Sequence, residues 1–265
     1  MSREDRPVAL ITGASRGIGR AIALELARGG FDLAANATSW NAAQRESGLA
    51  EVEDRVMELG AAFEPVPGDL AELADHDRIV AATLNRFGRI DLLVNNAGIA
   101  PQPRVDIMEM PPESYDRVMA VNARGTFFLT QRIVRSMLEA IDRGSAMNPV
   151  VIFISSVSAV ASSVNRAEYC ISKAAISRMA QLFADRLAAH GIRVYEIRPG
   201  IIRTEMTAPV RETYDRRIAE GLIPQQRWGE PEDIAKVVAQ LAGDSLAYAT
   251  GIVLEISGGM NIRRL

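Results

Sequence analysis

Lysine is nearly missing from this chain. Among 30 basic residues in 265 positions only Lys173 and Lys236 are lysines, so arginine carries almost all of the positive charge. Cysteine occurs once, at Cys170, which excludes an intrachain disulfide and suits a reducing compartment. The net charge of −3 leaves no basic footprint for a nucleic acid. No apolar run approaches the roughly 18 residues of a membrane span. The start, MSREDRPVALITG, lacks the apolar stretch of a secretory signal. No Gly/Ser/Pro linker and no internal repeat divides the chain. These absences predict a soluble cytoplasmic protein that binds neither nucleic acid nor membrane, with 1–265 folding as one domain. A hydrophobic fraction of 48% and a charged fraction of 24% are ordinary for such a domain.

Short β-rich runs alternate with longer helical patterns. VALIT (8–12), FDLAAN (31–36), AFEPVPGDL (62–70), IDLLVNNAG (90–98), PVVIFISS (149–156), IRVYEIRPG (192–200) and GIVLEISGG (251–259) read as strands. Helical patterns follow at 18–30, 48–60, 71–88, 113–141 and around 167–189. Apolar strands alternating with helices predict a parallel sheet covered on both faces, and right-handed crossovers make it doubly wound. The stretch 203–229 is the least regular and reads as a substrate loop or lid, or else as a surface excursion of helices.

TGASRGIG (12–19) follows the first strand and opens the first helix. Glycines at 13, 17 and 19 permit a tight turn and close backbone approach, and the helix N-terminus offers N–H groups to a pyrophosphate. The loop residues Gly13, Ser15, Arg16, Gly17, Ile18 and Gly19 are therefore read as cofactor-binding. The end of the second strand separates NAD from NADP, because an acid there accepts from the ribose 2′-hydroxyl. No Asp or Glu occupies 34–41; Asn36, Thr38 and Ser39 stand there instead, with Arg16 in reach of a 2′-phosphate. This favours NADP(H) over NAD(H). At the end of the third strand Asp69, beside Leu70, either accepts from an adenine amino group or caps the next helix. NNAG (95–98) ends the fourth strand: an Asn side chain there, Asn95 among the cofactor-binding residues, can tie adjacent strand ends together, and Ala97 and Gly98 leave room for a flat ligand.

Tyr169 and Lys173 lie four residues apart, on one helical face. A phenol is a poor acid near neutrality, and an adjacent ammonium is expected to lower its pKa. The same ammonium can hold a ribose, where a guanidinium fork would fit differently. Ser156 ends the fifth strand and is placed to donate to a substrate carbonyl; Ser155 and Ser158 compete for that role. Asn122 interrupts an otherwise helical pattern, which predicts a kink able to hold a water on a proton path from Lys173.

TGASRGIG, NNAG, VNARG, Ser156, YCISK and RPGIIRTEM, in that order over about 8–259, resemble the short-chain dehydrogenase/reductase family. The resemblance implies a Rossmann-type sheet of seven strands and a catalytic tetrad of Asn122, Ser156, Tyr169 and Lys173. It also implies that Pro199, Gly200, Ile202 and Thr204 line the nicotinamide, and that the long helices build a homotetramer. Within the family the chain is most similar to β-ketoacyl-acyl-carrier-protein reductases, which implies a 3-oxoacyl thioester as substrate and an acyl carrier protein as partner. His190 and Ser257 depart from that group's pattern, so an NAD(H)-linked sugar or polyol dehydrogenase stays as the alternative. A non-catalytic NADP(H) sensor is the alternative from another class.

Overall fold

The protein is described by a computed structural model that covers residues 6–144 and 148–264. Seven strands form one sheet in the order β3-β2-β1-β4-β5-β6-β7, every neighbouring pair parallel. They are β1 (Val8–Ile11), β2 (Asp32–Ala35), β3 (Phe63–Pro65), β4 (Leu92–Asn95), β5 (Val150–Ile154), β6 (Arg193–Pro199) and β7 (Val253–Ile256). The helices are α1 (Gly17–Arg28), α2 (Gly48–Glu58), α3 (Leu73–Phe87), α4 (Pro112–Met119), α5 (Thr126–Asp142), α6 (Ala167–Leu187), α7 (Arg211–Ala219) and α8 (Pro231–Ala242).

Side-chain alternation along each strand feeds two cores. Ile11, Leu33, Val94, Ile152 and Ile197 meet α1, α2 and α8 on one face. Leu10, Ala34, Leu93, Val151 and Phe153 meet α3, α5 and α6 on the other. A strand buried on both faces must be apolar at every position, which is why these runs showed no polar alternation in the sequence. Burying each such leucine or isoleucine contributes roughly 1.5–3 kcal/mol.

The expected single helix over 113–141 is interrupted. A π-helical turn at Ala120–Gly125 separates α4 from α5, and Asn122 sits within it. Helix α8 lies beyond the helical runs read from the sequence, although its start is signalled by Pro231 and a capping box between Glu230 and Asp233. The 203–229 stretch contains α7 and a small core of its own, Ile201, Ile218, Ile223 and Trp228. Trp228 therefore packs the excursion and does not face a ligand: its Nε1 donates to Asp215 at 2.7 Å and its ring meets Tyr214 edge-on.

The chain builds outward from β1 to β3 and then returns with β4 on the other side of β1. The loops leaving β1 and β4 thus diverge to opposite faces of the sheet. That divergence opens a crevice at the carboxyl ends of the strands, where ligands bind in such sheets.

Candidate active site

A cleft of about 510 Å³ occupies this crevice. The glycine loop forms one wall. Gly13 and Gly17 adopt left-handed φ values of 65° and 53°. A Cβ on Gly13 would lie 2.8 Å from Ala97 Cα, and one on Gly19 would run into the Gly13 carbonyl and Asn96 Nδ2. The first N–H groups of α1 receive no side-chain cap, and its first turn holds no acid. This is the donor set and charge that a pyrophosphate requires, so the residues present fit a dinucleotide.

The opposite wall is the end of β4. Thr12 Oγ1 accepts from the N–H groups of Asn96 and Ala97, both at 3.0 Å, and Asn96 Nδ2 donates to the carbonyls of Thr12 and Gly13. Asn96, Ala97 and Gly98 line the cleft. Asn95 does not: it is buried in the sheet, following the Leu93 side of β4. The residue that ties the strand ends is therefore Asn96, because a one-residue step along a strand reverses the side chain's face.

At the end of β2, Asn36 is a structural residue. Its Nδ2 donates to the carbonyls of Val66 and Gly68 at 3.0 and 3.1 Å. Thr38 lines the cleft, whereas Ser39 is exposed and lies outside the lining. Arg16 is exposed and lines the cleft. Asp69 and Leu70 also line it. Asp69 accepts from Ala71 N–H at 2.9 Å and from Arg117 at 2.9 Å. Burial works against its charge, but those two donors hold its carboxyl below the ordinary value. The cap of α3 is Glu72, so Asp69 shapes the turn before the helix and does not cap it.

Asn122 is fully buried and locked to the chain that follows β4. Its Oδ1 accepts from Ile99 N–H at 2.8 Å, and its Nδ2 donates to the Ile99 carbonyl at 2.9 Å and to Ser172 Oγ at 3.0 Å. A π-helical turn falls at this point, as such turns often do at functional sites. A Cβ built on Gly98 would stand 3.4 Å from Asn122 Oδ1 and 3.5 Å from Lys173 Nζ, so the three converge.

Lys173 is buried on α6 and donates to the Ile154 carbonyl at 3.0 Å, with its Nζ 5.6 Å from the centre of the Tyr169 ring. Burial pushes its pKa down to about 8. Ser156, in extended conformation, accepts from Ser158 N–H at 3.1 Å and hydrogen-bonds the Tyr169 hydroxyl. Ser155 is excluded as the donor, because its Oγ is held by Glu196 at 2.6 Å. Ser158 contributes its backbone N–H to Ser156, which leaves Ser156 as the hydroxyl on the phenol.

The expected lowering of the Tyr169 pKa does not appear in the protein alone. Burial raises it, and the field of Arg166 and the bond from Ser156 only partly offset that rise. The phenol is thus neutral across the physiological range, the form that can donate a proton. Lys173 is the group that titrates near neutrality. Any turnover that draws on the Lys173 ammonium is accordingly expected to fall as pH rises through about 8, where that charge is lost. A pH–rate profile checks this, and Lys173→Arg, charged throughout, should move the falling limb upward.

Pro199, Gly200, Ile202 and Thr204 line the cleft at the end of β6. Several lining residues were not singled out from the sequence, among them Asn96, Arg104, Arg117, Arg166, Glu205 and Arg217. In a chain with so many arginines no single one stands out by type.

A family profile described as enoyl-(acyl carrier protein) reductase matches residues 13–261. An L-rhamnose 1-dehydrogenase (NAD(P)(+)) from Sphingomonas sp. is 36% identical, covering 96% of this chain and 95% of its own. A 3-oxoacyl-[acyl-carrier-protein] reductase from Staphylococcus epidermidis is 33% identical, covering 95% and 98%. Among solved structures, a 3-oxoacyl-[acyl-carrier protein] reductase from Brucella melitensis in complex with NAD superposes with a TM-score of 0.92. It is 44% identical and covers 98% of this chain and 99% of its own.

Proposed function

Because the chain belongs to the short-chain dehydrogenase/reductase family, we propose that it moves hydride between NADP(H) and a carbonyl or secondary alcohol, with Tyr169 as the proton donor in reduction. The observation that carries this is the convergence of Ser156, Tyr169 and Lys173 on a cleft walled by a glycine loop, with Asn122 buried behind the lining residue Gly98. The nicotinamide supplies the hydride when bound. The chain's own residues do the rest. Ser156 orients the carbonyl oxygen, Tyr169 gives it the proton, and Lys173 holds the ribose and stabilises the phenolate that proton loss creates. Asn122 fixes the loop after β4 and keeps the π-helical turn open for a water that reconnects Lys173 with solvent.

Preference for NADP(H) is supported by the lack of any acid at 34–41 and by Thr38 and Arg16 at the cleft. Thr38→Asp is expected to turn the preference toward NADH by about a hundredfold, since like charges set side by side are strongly disfavoured. Initial rates with both cofactors measure it; an unchanged ratio means the adenosine phosphate lies elsewhere.

Two substrate readings draw on the relatives. One is a 3-oxoacyl thioester presented by an acyl carrier protein, and the other is a sugar oxidised with NAD(H) or NADP(H). A sensor without turnover is disfavoured, since binding alone does not require a proton donor, its tuner and a carbonyl donor together. The family likeness also leads us to propose a homotetramer that covers the exposed Ile171 and Leu182 of α6. Light scattering on the purified protein tests the mass.

A further inference from the structure

The cleft is unevenly charged. Its lining carboxylates are Asp69, held by Arg117, and Glu205, whose Oε2 stands beside Gly17 of the glycine loop. Arg104, Arg166 and Arg217 line the same cleft, and among the described residues none of the three has a carboxylate within ion-pair distance. The most defined of them is Arg166. It is half-buried at the start of α6, and its guanidinium carbon lies 5.4 Å from the centre of the Tyr169 ring. One nitrogen, Nε, donates to Ser163 Oγ at 3.1 Å, which tethers the group at the start of α6. The two terminal nitrogens have no protein partner among the described residues. A fork with its donors free, with no carboxylate paired to it, in a cleft lined by more arginines than carboxylates, matches a planar carboxylate bidentately.

The position sets the chemistry of the ligand. The guanidinium stands beside the ring of the proton-donating tyrosine, so an anion held there lies close to the reacting carbon. We propose that the substrate is an oxo acid, or the corresponding hydroxy acid, whose carboxylate stands one or two carbons from the reacting carbon and is held by Arg166. The proposal rests on the oxidoreductase reading and separates a free acid from both the thioester and the neutral sugar. In reduction the carbonyl carbon accepts a hydride from the reduced nicotinamide, and the C=O π pair moves to oxygen. That oxygen takes the proton of Tyr169, giving the hydroxy acid and the oxidised nicotinamide. The carboxylate stays unchanged on Arg166.

Two sources supply such an anion, a short oxo acid and a sugar acid. The test therefore uses acetoacetate beside ethyl acetoacetate and acetoacetyl-N-acetylcysteamine, and gluconate beside glucose, each with both nicotinamide cofactors. The wild type is expected to prefer an acid over its neutral partner by about thirtyfold in kcat/KM, the scale of a charge-assisted bidentate contact. Preference within the acetoacetate series assigns a short oxo acid, and within the gluconate series a sugar acid. Arg166→Gln should abolish the preference through KM for the acid, and Arg166→Lys should restore part of it, with thermal melts confirming that both variants fold. A wild-type preference for the ester, the thioester or glucose overturns the proposal and leaves the oxidoreductase reading standing. So does an equal loss on acid and neutral substrates in Arg166→Gln, which would make Arg166 a tuner of Tyr169 only. Silence of both cofactors on every substrate, in protein that binds NADPH, overturns the proposal together with that reading.

Discussion

Tyr169→Phe is expected to lower turnover by about a thousandfold or more while leaving NADPH affinity nearly unchanged. The substitution removes one oxygen and keeps the ring. Lys173 keeps its bond to the Ile154 carbonyl, and Arg166 keeps an aromatic face to stack on. The pyrophosphate cradle at Gly13–Gly19 is not touched. What disappears is the one neutral hydroxyl that is fixed by Ser156, raised in pKa by burial and close to the Lys173 ammonium. Ser156 cannot replace it, because an aliphatic hydroxyl is a far weaker acid. Steady-state rates with fluorescence titration of NADPH separate the two effects. A mutant that turns over at the wild-type rate removes Tyr169 from the mechanism.

Glu196→Ala is expected to destabilise the fold by about 3–5 kcal/mol, the effect of breaking a buried charge pair by deleting one partner. Glu196 lies on β6, facing the α6 side of the sheet, and is only 1% exposed. Its carboxylate accepts from Ser155 Oγ at 2.6 Å, from Ser177 Oγ at 2.9 Å and from Arg198 Nε at 2.7 Å. Arg198 donates to Ser177 in turn. Deletion takes an acceptor from the Arg198 guanidinium and from the buried Ser177 hydroxyl, and leaves Ser155 with the Ile197 carbonyl at 3.2 Å. For a domain of this size the melting temperature should drop by roughly 10 °C, at about 2–4 °C for each kcal/mol. The same carboxylate joins the residue before Ser156 to the residue one helical turn after Lys173. A fall in kcat with unchanged cofactor affinity should therefore accompany the loss of stability. Chemical denaturation measures the first effect, and a change below about 1 kcal/mol would show that the network is dispensable.

The order of strands and helices was legible because a strand buried on both faces has no choice but an apolar run. Its limits were set by local chemistry: Pro65 and Pro67 cut β3 to three residues, although the apolar pattern ran on to Leu70. The break around Asn122 was legible as a poor helix former in a helical pattern, whereas its π-helical form needs the backbone. Helix α8 carried its signals in Pro231 and Asp233, outside the runs that periodicity picked out. Tyr169, Lys173 and the glycine loop stood out by residue type and spacing. Ser156 was separable from Ser155 only once Glu196 was seen to hold the latter. Asn95 and Asn96 differ by one step, and a strand's pleat decides which faces the cleft. The direction of the Tyr169 shift was misread because burial, which outweighs the Arg166 charge and the Ser156 bond, leaves no mark in the sequence. Arg166 was invisible for the reason the chain is unusual: arginine is everywhere in it.

Hydride transfer is tested most directly by following reduced-nicotinamide absorbance with wild-type protein, NADPH or NADH, and the oxo substrates acetoacetate and acetoacetyl-N-acetylcysteamine, with gluconate, glucose and L-rhamnose run in the oxidative direction. Consumption or formation of NADPH, faster than of NADH and absent in Tyr169→Phe, is the expected result. No change in either cofactor across the whole panel, in protein that still binds NADPH, would contradict the assignment of this cleft as the active site of an oxidoreductase.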